Sequence, residues 1–192
     1  MRQYCSVCQY PIKTCVCNAV ERVDAPVRLS IVQHPREAKH AKNTARLVAL
    51  CIEHTELVLS DNDEQLKALE LRCQSTPSAV LYPCSESNTW EHHSNSAPRN
   101  SLKHIVILDG SWRQAFGMWQ QHSWLRTLPA YHFTEAPGSN YQIRHTDDAA
   151  HLSTLEAVAY ALKSGFGTNV APLYQLQETM QKLWQGPAAH RR

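Results

Sequence analysis

Ile105-Val106-Ile107-Leu108-Asp109-Gly110-Ser111-Trp112-Arg113-Gln114-Ala115 decides the fold of this 192-residue chain. Its first four residues are an unbroken apolar run, the pattern of a central parallel strand buried on both faces. The run ends in Asp-Gly, and Ser111-x-x-Gln114 then has the capping-box spacing that opens a helix. A buried strand that hands the chain to a capped helix is the repeating unit of a parallel sheet.

The flanking sequence repeats that unit. Val27–Val32 alternates and is β-branched, which predicts a strand ending at Gln33-His34-Pro35. Ala38, Ala41, Ala45, Val48 and Ile52 recur at three and four and predict one helix. Leu57-Val58-Leu59 and Ala79–Tyr82 read as strands, with a helix between them capped by Asp61 or Asn62 and carrying Leu66, Leu69 and Cys73. Residues 84–103 are polar and aperiodic and read as an exposed loop holding Trp90. A short strand is expected within Leu128–Phe133, and helices at about 153–164 and 172–184. Gly165 stands where a helix C-cap is expected and Pro172 in a first turn. The reading is an α/β protein, its mostly parallel sheet flanked by helices. The chain divides into a cysteine-rich leader (1–24), a main domain (25–185) and a flexible tail (186–192).

Composition narrows the function. With 43% hydrophobic residues one core can be buried. No run approaches the ~18 apolar residues of a membrane span, and Met1–Cys5 is no secretory signal, so a cytoplasmic location is expected. A net charge of +2 is too small for a strongly basic nucleic-acid domain, and any RNA contact must come from local clustering. Seven cysteines in such a chain argue against a disulfide framework. Four of them, Cys5-x2-Cys8-x6-Cys15-x-Cys17, fall in thirteen residues. Four thiolates satisfy tetrahedral zinc in a closed structural site. An iron–sulfur cluster uses the same ligands, whereas a redox Cys-x-x-Cys leaves Cys15 and Cys17 unexplained.

Three further stretches carry chemistry. His34-Pro35-Arg36-Glu37 lies at a strand's carboxyl end, where open α/β sheets bind ligands. Lys39, Lys42 and Arg46 follow at helical spacing, which reads as a basic face for phosphates or simply a solvated one. Asp109 ends a buried strand, where a carboxylate needs partners. Gly110 permits close approach of a ligand, and Trp112 either stacks on a base or packs the helix. Ser153-x-x-Glu156 is a second capping box, downstream of Arg144. Two helix N-termini at one sheet edge would offer amides to an anion.

In order along the chain, Cys-x2-Cys…Cys-x-Cys, His34-Pro35-Arg36-Glu37, Asn43-Thr44-Ala45-Arg46-Leu47, Leu108–Ala115 and Leu152-Ser153-Thr154-Leu155-Glu156-Ala157 resemble the DTW-domain family. Ser111 stands where the Asp-x-Thr-Trp signature has threonine; both supply a capping hydroxyl. The resemblance implies a knotted α/β fold like that of the SPOUT superfamily. It also implies transfer of the 3-amino-3-carboxypropyl group of S-adenosylmethionine to N3 of a tRNA uridine, releasing methylthioadenosine. On it, Asp109 is the expected base or the group that orients the uracil N–H, with Ser111 and Trp112 beside the reaction. Leu108, Asp109, Gly110, Ser111, Trp112, Leu152, Ser153, Thr154 and Glu156 would bind the donor, with Glu156 meeting its ammonium or only capping the helix. His34, Arg36, Lys39, Lys42, Arg46, Arg113 and Arg144 would meet tRNA phosphates. Cys5, Cys8, Cys15 and Cys17 would hold zinc. No membrane and no obligatory protein partner is expected. A SPOUT-type tRNA methyltransferase and a non-catalytic zinc-dependent RNA-binding module are the alternatives.

Overall fold

The computed structural model describes residues 3–91, 101–143 and 152–184. Arg144 and the 186–192 tail lie outside them. Six strands, β1 (Arg28–Gln33), β2 (Thr55–Leu59), β3 (Ser78–Leu81), β4 (Asn88–Thr89), β5 (His104–Asp109) and β6 (Ala130–His132), form one sheet in the order β2-β1-β5-β3-β6-β4. Every pairing is parallel. The apolar run of β5 is central, in register with β1 from Arg28↔His104 to Gln33↔Asp109.

Side chains of a strand alternate between faces, so each strand feeds two cores. Leu29 and Ile31 of β1 and Ile105 and Ile107 of β5 join one apolar cluster with α2 (Ala45–Cys51), α5 (Thr154–Phe166) and α6 (Ala171–Leu183). Val32 and Val106 join the other, beneath α3 (Asp63–Ser75) and α4 (Trp112–Gln121). The cysteine leader belongs to the first cluster. Cys8, Tyr10, Val16 and Val23 are buried in it, so the leader and the main domain share one core.

The single helix expected over 38–52 is broken. α1 (Pro35–Ala38) stops at Lys39, residues 39–44 turn, and α2 begins at Ala45. The cause is Asn43, which is buried and hydrogen-bonded through its side chain to three groups, the Glu37 carbonyl, the Arg46 amide and Asp109. An asparagine side chain that bonds backbone in this way competes with the helix. Lys39, Lys42 and Arg46 therefore do not share one helical face.

Two further expectations change for packing reasons. Trp90 is fully buried rather than exposed in a loop, because Asn88–Thr89 pairs with β6 at the sheet edge. Its indole meets Tyr131 edge-on at 5.4 Å and packs on Gly165, where a Cβ would come within 2.6 Å of the ring. Gly165 is thus a packing position inside α5, and Gly167, at φ 68°, is the left-handed cap. Pro172 does occupy the first turn of α6.

At the amino end of the sheet His104 is completely buried, with Nε2 2.8 Å from Ser30 Oγ and Nδ1 3.3 Å from Ser78 Oγ. Burial, aided by Arg72 and Arg28, lowers its pKa to about 4. An unfolded histidine titrates near ~6.5. Because the folded pKa is the lower one, acid protonates the unfolded chain first, and stability falls as pH drops from ~6.5 towards 4, by at most about 3 kcal/mol. Urea unfolding between pH 7.5 and 4.5 should show this slope, and His104→Gln should flatten it. Equal slopes in the two proteins would remove His104 as its source.

Candidate active site

The site begins with the tips of β1 and β5. The His34 amide donates to the Asp109 carbonyl at 3.0 Å, which holds the two strand ends together. The Asp109 carboxylate is 2% exposed. Its Oδ2 accepts from Gln33 Nε2 at 2.7 Å and from Asn43 Nδ2 at 3.0 Å, and its Oδ1 accepts from the Thr154 hydroxyl. Three neutral donors from β1, the turn before α2 and the start of α5 therefore converge on one buried charge, near the positive end of α5. These bonds join four segments far apart in sequence.

Asp109 itself does not line the adjacent cavity, whose volume is about 580 Å³. That is within the range of small-molecule sites. The cavity sits at the carboxyl ends of β3, β5 and β6, as open parallel sheets predict. Leu108, Gly110, Ser111 and Trp112 form one wall, and Leu152, Ser153, Thr154 and Ala157 another. The donor-site residues expected from the sequence are thus brought together, apart from Asp109 and Glu156. Both capping boxes form, so the N-termini of α4 and α5 meet on this cavity.

The amides of α5 are less open than expected. Leu155 N donates to Thr44 Oγ1 and Glu156 N to Ser153 Oγ, each at 3.3 Å. Among the described residues, only Thr154 of those three amides lacks a partner. Glu156 caps the helix. Its carboxylate accepts from Ser153 N, Ser139 Oγ and Asn140 N at 2.7, 2.8 and 2.7 Å. It lines a smaller cavity of about 130 Å³ with Pro137, Tyr160 and Tyr174. Glu156 thereby fixes the 139–140 loop against α5.

Gly110 also has a reason within the chain, since a Cβ there would meet Gln114 Cβ at 2.9 Å. Gln114 accepts from Ser111 N through Oε1 and donates from Nε2 to His34 Nδ1 at 3.2 Å, which ties α4 to the tip of β1. Ser111 and Trp112 are exposed at the cavity mouth.

The rest of the cavity was not legible in the sequence. Tyr82 and Pro83 follow β3, while Tyr131, His132, Phe133 and Thr134 run from β6. His132 has a fixed tautomer. Ser87 Oγ donates its one hydrogen to the Cys84 carbonyl at 2.7 Å, so it accepts from His132 Nδ1 at 2.9 Å. Nε2 of the neutral ring is then the unprotonated nitrogen.

The basic residues part ways. His34 caps α1, and Arg36, Lys39 and Arg113 are exposed. Lys42 Nζ lies 5.2 Å from the Trp184 ring centroid. Arg46 donates to the Ala38 and Gln9 carbonyls and covers Tyr10 at 5.6 Å, clamping the leader to the turn after α1.

In the leader, the sulfurs of Cys5, Cys8, Cys15 and Cys17 all lie within 4.8 Å of one another. Cys5 and Cys17 are 3.6 Å apart and Cys8 and Cys15 3.7 Å, too far for disulfides. Tetrahedral Zn–S bonds of about 2.3 Å place sulfurs ~3.8 Å apart, so the set fits such an ion. The backbone amides of Cys8 and Val7 lower the Cys5 thiol to about 6, while burial and then Cys15 push Cys17 up to about 12. The cluster could hold a metal ion, which would share the charge of four thiolates.

The DTW-domain profile matches residues 2–185. The chain is 29% identical over 167 residues to tRNA-uridine aminocarboxypropyltransferase 2 of Macaca fascicularis and 28% identical to that of Mus musculus, covering 84% of this chain and 56% of each relative. The Drosophila melanogaster protein of the same name is 29% identical over 168 residues, covering 84% of this chain and 66% of its own length. The chain thus spans little more than half the length of the mammalian relatives it matches. No solved structure matches it.

Proposed function

The chain belongs to the DTW-domain family, and on that premise we propose that it transfers the 3-amino-3-carboxypropyl group of S-adenosylmethionine to N3 of a tRNA uridine. The observation that carries this reading is the meeting of two capped helix N-termini on one cavity at the sheet's carboxyl edge. The positive ends of α4 and α5 suit the donor's carboxylate. Thr154 gives its hydroxyl proton to Asp109, so its oxygen remains an acceptor for the donor's ammonium. Leu81, Leu108, Ala115 and Ala157 give apolar surface for the adenosine. The knotted chain path and the cytoplasmic location implied by the family belong to the same proposal.

In the transfer, the N3–Cγ bond forms as the Cγ–S bond breaks, and the electron pair stays on sulfur, which leaves as neutral methylthioadenosine. The leaving group needs no acid. The protein's task is to present Cγ rather than the methyl carbon in line with N3. The N3 proton has a recipient in His132, which lines the cavity and whose Nδ1 is engaged by Ser87, leaving Nε2 to take it. Asp109, engaged by three donors and outside the cavity wall, acts as a positioning residue that holds Thr154 and the β1 tip. This replaces the expectation that Asp109 itself takes the proton. Among the described residues, Arg36, Lys39 and Arg113 are exposed cations available for phosphate contacts. Cys5, Cys8, Cys15 and Cys17 would hold a zinc ion, which would serve a structural purpose, since the chain offers four sulfur ligands within 4.8 Å of one another.

A co-product assay tests the reading. Incubation with S-adenosylmethionine and unmodified tRNA should release methylthioadenosine and yield a uridine heavier by the aminocarboxypropyl group, both seen by mass spectrometry. S-adenosylhomocysteine in place of methylthioadenosine would make the protein a methyltransferase. Absence of donor binding by calorimetry would leave only an RNA-binding module.

A further inference from the structure

The exposed face of α4 carries an unusual set of residues. Trp112 and Phe116, one turn apart, are 52% and 55% exposed, although most other large apolar side chains are covered. Arg113 and Gly117 are exposed beside them. Gly117 sits in the middle of a ten-residue helix, where glycine costs roughly 1 kcal/mol relative to alanine. Packing within the chain does not require it, because a Cβ at Gly117 would meet nothing within 4 Å. The exposed Phe116 ring, an adjacent arginine and a bare stretch of helix make a flat, cationic-edged surface beside the half-exposed Trp112. Trp112 also lines the large cavity, so this surface is continuous with the cavity mouth.

We propose that the Phe116–Gly117 face of α4 is a stacking platform for an unpaired nucleobase next to the target uridine, with Arg113 on the intervening phosphate. The proposal rests on the functional reading above and adds the surface that selects the substrate. Uridine N3 lies on the pairing edge, so the target base must be unpaired and free to turn into the cavity. Aromatic faces and arginine bind such unpaired bases irrespective of sequence. The spacing agrees with this. The four-residue step from Trp112 to Phe116 rises about 6 Å, more than the ~3.4 Å step of a stacked strand. Bases resting on the two rings would therefore be splayed, as extrusion of the target demands. The arginine favours RNA over a purely apolar partner as the occupant.

Phe116→Ala and Gly117→Leu test it against full-length wild-type protein. The probe is unmodified tRNA in a filter-binding titration, with S-adenosylmethionine calorimetry alongside. Phe116→Ala should weaken tRNA binding about tenfold or more, the loss expected for one base stack, and leave donor affinity unchanged. Phe116→Tyr should restore most of the binding. Gly117→Leu should raise the melting temperature, as leucine is the better helix former, yet weaken tRNA binding by blocking the face. Wild-type-like tRNA affinity in both Phe116→Ala and Gly117→Leu would overturn the platform and leave the proposed reaction standing. A wild-type protein that binds tRNA and donor but transfers nothing would overturn the reaction and leave the platform to be judged by the same titrations. Conversion of a dimer to a monomer by Phe116→Ala, with tRNA affinity intact, would assign the face to a second copy of the chain.

Discussion

Asp109→Asn is expected to abolish transfer, by at least about a hundredfold, and to destabilise the fold by about 3 kcal/mol. Gln33, Asn43 and Thr154 all donate to this carboxylate. An asparagine can keep its oxygen on Gln33 and Asn43 only by turning its NH2 group to Thr154, whose hydroxyl must then accept rather than donate. The cost is that of the lost charge-assisted bonds and of the reversed Thr154 hydroxyl. Because Thr154 lies on the cavity wall, this reversal should also weaken S-adenosylmethionine binding. That separates positioning from proton abstraction. A base removed from an otherwise intact site would leave donor affinity and melting temperature unchanged and alter the pH–rate profile. Calorimetry and thermal unfolding of the one variant therefore decide between the two roles. Unchanged donor affinity and unchanged stability, with activity lost, would return Asp109 to the role of base.

Removal of the metal should be nearly as damaging. One zinc per chain is expected by elemental analysis. Chelation, or Cys8→Ser, is expected to lower the melting temperature by roughly 10 °C, equivalent to about 4 kcal/mol for a protein of this size. The effect should reach the active site along a path of named contacts. Tyr10 of the leader donates to the Asn43 carbonyl at 2.5 Å and lies under Arg46, and Asn43 in turn holds Asp109. Loss of the leader therefore loosens the turn that carries Asn43, and transfer should fall together with stability. Readdition of zinc should restore both. Visible absorbance from an iron–sulfur cluster in the purified protein would replace zinc with that cofactor. A metal-free protein with unaltered melting and activity would remove the metal altogether.

Local signals along the chain were legible where one segment contains its own physics. The run Ile105–Leu108 could satisfy itself only as a strand covered on both sides, and both capping boxes formed where their spacing placed them. Four cysteines in thirteen residues are close enough along the chain for a short local fold to bring their sulfurs together, as it does. The tertiary structure decided whatever depends on partners distant in sequence. Nothing near Ala38–Ile52 shows that Asn43 leaves the helix for Asp109, 66 residues away. Nothing near Trp90 shows that Gly165 makes room for its ring. The β6 side of the cavity, including His132 and its tautomer, depends on which strand lies beside β3, a choice made by the packing of the whole sheet. The sequence by itself determined the strand-to-helix units, their caps and the four-cysteine cluster, because those interactions close within a few residues. The hydrogen-bond partners of Asp109, Glu156 and Arg46 were decided only by tertiary structure, because folding brings those groups together from distant parts of the chain.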